Sequence, residues 1–81
     1  MLGVISIIVG EPDEKTALVN SIIKENKKMV KGRLGIPFSD TDKAVIILVV
    51  EGEINEINAL SGKIGRLRGI SSKVTFEPKE S

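Results

Sequence analysis

Residues Ala44-Val45-Ile46-Ile47-Leu48-Val49-Val50 run apolar without a polar break. Most are β-branched, so the run reads as a strand. It is far too short to cross a bilayer, which takes about 20 residues. An exposed sheet face normally alternates apolar with polar residues. A strand that is apolar at every position therefore belongs in the middle of a sheet, with cover expected on both sides.

The neighbouring segments supply the rest of that sheet. Val4 to Val9 is a second β-branched run, bounded by Gly3 and Gly10. Pro12, Asp13 and Glu14 then suit a helix start, and Leu18, Val19, Ile22 and Ile23 recur at helical spacing. A first helix is predicted over 12–28. Met29 to Ile36 alternates, which predicts a half-buried strand with Val30, Gly32, Leu34 and Ile36 on one face and Lys31 and Arg33 on the other. Pro37 marks an edge strand or its end. Ser39-Asp40-Thr41-Asp42 is turn chemistry. Ile54, Ile57, Leu60, Ile64 and Leu67 predict a second helix over 53–66, and Ile70, Val74 and Phe76 a last strand. Pro78 begins a polar tail, taken as 77–81.

The order is β-α-β-β-α-β. Two right-handed β-α-β crossovers give a four-stranded antiparallel sheet with strands one and three central and both helices on one face. The class is α+β, a ferredoxin-like sandwich in a single domain, 1–81. The other sheet face stays open. The edge strands place Lys31, Arg33, Lys73 and Thr75 there, but the two central strands are apolar on both sides. Central strands gather Val and Ile through propensity alone, yet two helices cannot cover two faces. A second subunit or a ligand on the open face is the stronger reading. Size points the same way, because an 81-residue chain sits near the range where small domains recruit disulfides, metals or partner subunits.

Composition excludes much chemistry. The chain has no His, Cys or Tyr, which removes imidazole bases, thiolate nucleophiles and the usual soft-metal ligands. No metal, cofactor or enzymatic activity is expected. The acids Asp13, Glu14, Glu51, Glu53 and Glu56 sit at predicted helix starts, where they complement the helix dipole. Lys24, Lys27, Lys28, Lys31 and Arg33 form one basic run, and Lys63, Arg66 and Arg68 another, both near helix C-termini. With a net charge of only +1 and no aromatics in the central strands, neither a basic footprint nor RNA stacking on the sheet is expected. A cysteine-free chain with no basic n-region before its first strand is expected in the cytoplasm, without a membrane segment.

The glycines carry the remaining signal. Gly10 lies at the first strand-to-helix turn, and Gly32 and Gly35 interrupt a strand, which marks a bulge or the close approach of another group. Gly62 within the second helix suggests close packing on the sheet, and Gly65 a C-terminal cap. None matches a phosphate loop or a dinucleotide fingerprint.

Gly32-Arg33-Leu34-Gly35-Ile36-Pro37-Phe38 and Ile57-Asn58-Ala59-Leu60-Ser61-Gly62-Lys63-Ile64-Gly65-Arg66-Leu67-Arg68-Gly69-Ile70 together resemble the iron-only hydrogenase system regulators. The similarity spans nearly the whole chain, including the Val50-Glu51-Gly52 step. It implies an ACT-like fold similar to the C-terminal domain of the nickel-responsive repressor, homo-oligomers, and a regulatory role. The repressor's metal-binding His and Cys and its ribbon-helix-helix segment have no counterpart here, so direct nickel sensing and operator binding are not carried over.

In ACT-like folds the ligand pocket tends to form where the first strand meets the first helix, beside a partner's strand. That analogy puts Gly10, Glu11 and Asp13 in a ligand site, with Arg33 and Gly35 lining its approach. Arg33 would hold a carboxylate or phosphate through a bidentate contact; as a solvated edge-strand arginine it would do nothing of the kind. The expected partners are a second copy of the chain, in a dimer or tetramer through the open face or strand edges, and either a small anionic metabolite or a hydrogenase maturation protein. Acylphosphatase-type hydrolysis on this topology would need an arginine-bearing loop after strand one, where Val9-Gly10-Glu11-Pro12-Asp13 supplies acids.

Overall fold

The computed structural model describes residues 1–38 and 40–78; Ser39 of the expected turn and residues 79–81 of the expected tail lie outside the described residues. The elements are β1 (Leu2–Gly10), α1 (Pro12–Glu25), β2 (Val30–Phe38), β3 (Lys43–Glu51), α2 (Ile54–Gly65) and β4 (Ile70–Phe76). They build one antiparallel sheet in the order β2-β3-β1-β4. The expected βαββαβ sandwich is what forms, with β1 and β3 central.

Strand pairing fixes the two faces. Because directly opposed residues of an antiparallel pair share a face, Ile5, Ile7 and Val9 of β1 lie beside Leu48, Ile46 and Ala44 of β3. These side chains meet Val19, Ile22 and Ile23 of α1 and Ile57, Leu60 and Ile64 of α2 in one core. Leu18, expected with the core residues of α1, is exposed instead. The opposite face carries Leu2, Val4, Ser6 and Ile8 of β1, Lys43, Val45, Ile47, Val49 and Glu51 of β3, and Ser71, Lys73 and Thr75 of β4.

The third expected apolar row departs from its prediction. A register shift between Val30 and Gly32 bulges β2 at Lys31. Val30 packs against the core, but one extra residue inverts the alternation beyond it. Gly32, Leu34, Ile36 and Phe38 therefore join the open face, opposite Val49, Ile47, Val45 and Lys43. Arg33, expected on the open face, turns to the helix side with Gly35 and Pro37.

Helix α1 stops at Glu25, three residues short of the predicted 28. Asn26 ends it: its backbone N–H donates to the Ile23 carbonyl at 3.0 Å, the Lys27 N–H donates to the Lys24 carbonyl at 3.4 Å, and the Asn26 side-chain Nδ2 donates to the Ile22 carbonyl at 2.9 Å. That satisfies carbonyls a further turn would have used. Lys27 and Lys28 fall in the following turn. Glu51, read as a helix-start acid, ends β3; Glu56 does lie in the first turn of α2.

Neither Gly62 nor Gly65 holds its expected role. A Cβ on Gly62 would meet only the tip of Arg66, at 4.0 Å, so no close packing requires glycine there. A Cβ on Gly65 would lie 3.5 Å from the Cβ of Ser72. One turn earlier, the buried Ser61 hydroxyl meets the Ser72 hydroxyl at 2.8 Å. Small residues at 61, 65 and 72 bring α2 down onto β4, and Arg66 takes the C-cap position.

Candidate functional site

Helix α1 begins without a side-chain cap. Glu11 occupies the N-cap position with left-handed backbone (φ 53°), and Pro12 opens the helix. Asp42, just before β3, is also left-handed (φ 51°), as is Gly69 just before β4 (φ 78°). The three meet at one end of the sheet. The Gly10 N–H donates to the Gly69 carbonyl at 2.9 Å, and the Glu11 N–H to the Asp42 carbonyl at 3.3 Å. Left-handed backbone costs a non-glycine residue free energy and tends to gather at functional sites. Lys15, one turn into α1, donates to the Arg68 carbonyl and ties the helix to the loop before β4.

Two open hollows flank this helix start. The first, about 440 Å³, is bordered by Ile8, Gly10, Glu11, Lys15, Lys43 and Gly69. It sets the Lys15 and Lys43 ammonium groups beside the Glu11 carboxylate at the positive end of α1. The second, about 510 Å³, is a groove on the helix side between α1 and the edge strand. Pro12, Asp13 and Thr16 form one wall, Arg33, Gly35 and Pro37 the other, with Ala44 and Ile46 below. Arg33 reaches across it, its Nη2 donating to Asn20 Oδ1 at 3.0 Å. Four guanidinium N–H donors lie beyond that contact.

The five residues expected to share a site are therefore divided. Gly10 and Glu11 border the first hollow; Asp13, Arg33 and Gly35 border the second. Sequence reasoning missed Lys15 and Lys43 altogether. Lys15 was readable from its place one turn after the helix start, and Lys43 from the pairing of strands one and three, which sets it opposite Gly10. Gly32 and Gly35 were read as bulge or close-approach positions. The bulge is at Lys31, and a Cβ on either glycine would meet nothing within 4 Å. Nothing among the described residues requires glycine at 32 or 35. Among the described residues no group of three or more His, Cys, Asp or Glu side chains could hold a metal ion, and no helix is long and apolar enough to cross a membrane.

No curated protein matches the chain. Among solved structures, that of uncharacterized protein TM1266 from Thermotoga maritima superposes with a TM-score of 0.87 at 27% identity, covering 91% of this chain and 92% of that one. The TM1266-like family, described as "Iron-only hydrogenase system regulator, putative", matches residues 1–74, both glycine-bearing segments included. By sequence and by fold alike, the chain belongs to the TM1266-like family of iron-only hydrogenase system regulators.

Proposed function

We propose that the chain is a regulatory binding module that works as a homo-oligomer, joined through the open sheet face. A small anionic molecule is held in the groove between α1 and β2, beside Arg33. One observation carries the reading. Among the described residues nine large hydrophobic side chains are exposed, and seven of them (Leu2, Val4, Ile8, Leu34, Ile36, Phe38 and Val49) share the bare face of the sheet. Scattered apolar residues need no explanation, but a contiguous patch marks a contact surface. Only Leu18 and Ile54 lie elsewhere, one on each helix.

The family's role in the iron-only hydrogenase system supports regulation rather than turnover. Arg33 supports the anionic ligand: its planar fork matches a carboxylate or phosphate, and the bare Gly35 beside it leaves room for one. Native mass spectrometry of protein purified from its own host tests both halves. The expected spectrum shows an oligomer carrying a small-molecule adduct that Arg33→Ala loses. A bare monomer would overturn the proposal. An oligomer that retains a maturation protein, and no small molecule, would favour an assembly factor instead.

A further inference from the structure

The open face has a charge pattern that selects one way of stacking it. Along β3 the open-face side chains read Lys43, Val45, Ile47, Val49, Glu51. Ile47 is the midpoint, and the opposite charges stand four residues away on either side. On β1 the balance repeats, with Val4 and Ile8 on either side of Ser6, which is level with Ile47; on β2 Leu34 is level with Ile47, and Ile36 and Phe38 lie toward the lysine end. At the glutamate end, Glu77 adds a second carboxylate, hydrogen-bonded to the Leu2 N–H at 3.0 Å. At the lysine end, a Cβ on Gly10 would lie 4.0 Å from Lys43 Nζ, which confirms that this ammonium stands over the open face.

We infer that two copies stack their open faces about a twofold axis that passes through Ile47 and runs across the strands. This rests on the reading of the open face as the assembly surface and specifies its geometry. An axis across the strands makes the two β3 strands antiparallel, so Lys43 of each copy lies over Glu51 of the other. An axis along the strands buries the same apolar residues but sets Lys43 over Lys43 and Glu51 over Glu51. Lys73 of β4 stands level with Ile47, so the first axis sets it over its own copy at the edge of the plate. Like charges facing each other across an interface are disfavoured, and two opposite-charge pairs against that one like pair still favour the first arrangement over the second, which has only like pairs. The charged ends lie about 13 Å from the axis. Stacked sheets cross at about 30°, which displaces the paired ends sideways by about 7 Å, a gap that an extended lysine and glutamate close between them. Three strands of this length present a plate of about 400 Å², in the range of the largest apolar patches on protein surfaces, which are often functional.

Sedimentation velocity at about 0.15 M salt tests the geometry with Lys43→Glu, Glu51→Lys and the double variant, each checked for folding by circular dichroism. Every dimer holds two Lys43–Glu51 contacts, so each single variant creates two repulsions. Each should raise the dissociation constant by about 10-fold or more, and the double variant should return to within about 3-fold of the wild type. A single variant that tightens the dimer, or a double variant weaker than both singles, would overturn the antiparallel stack. Variants that all assemble like the wild type would also overturn it, while leaving oligomerisation standing. A wild-type chain that is monomeric throughout would overturn the assembly reading itself.

Discussion

Gly62 and Gly65 lie three residues apart on one helix, yet their environments call for opposite substitutions. Gly62 has open space where a side chain would go and only the entropic cost of glycine in a helix. Gly62→Ala should raise stability by about 0.5–1 kcal/mol in urea unfolding. Gly65 faces Ser72 at van der Waals distance, so Gly65→Leu should overpack the helix on the sheet and cost about 1–3 kcal/mol. Sequence periodicity shows that both glycines are helical. It does not show the rotation of α2 closely enough to say which one touches β4, because both flank the apolar stripe of Ile57, Leu60 and Ile64. What a Cβ would meet at each position separates them. The salt bridge between Lys63 and Glu25, at 3.2 Å with both side chains more than half exposed, joins the two helices but adds little stability at such exposure.

Strand β2 shows where pattern reading breaks down. Its alternation is real, and its position as an edge strand was readable from Pro37. Its phase was not. A single extra residue at Lys31 leaves the hydrophobic pattern intact while moving it from the core side to the open side. No residue type at 30–32 announces that shift except Gly32, which is equally at home in a plain edge strand. The correction changes the functional reading on both faces. It sends Arg33 into the groove beside Asn20, and it adds Leu34, Ile36 and Phe38 to the assembly surface. Leu34, 57% exposed, then has a specific expected behaviour. In dilute protein Leu34→Lys should change folding stability by no more than about 0.5 kcal/mol, as at other exposed positions, while at higher concentration it should weaken assembly. Comparing urea unfolding with sedimentation of the same variant separates the two effects.

For the molecule as a whole, the element order, the central pair of strands and the bare sheet face followed from periodicity and from β-branched runs. The division of the expected site residues between two hollows did not. Gly10, Glu11 and Asp13 are neighbours in sequence, and only the left-handed turn at Glu11 shows that the helix start separates what borders β4 from what borders β2. The whole account depends most on the open face. An 81-residue chain has little core in reserve, yet this one leaves seven large hydrophobic side chains on a single uncovered surface. Sedimentation equilibrium of the wild-type chain over a wide concentration range asks directly whether that surface is covered in solution. The account predicts a mass that rises with concentration to twice the 8.7 kDa of one chain or a higher even multiple. A mass that stays at that of one chain up to about millimolar concentration, where even weak association is populated, would contradict it.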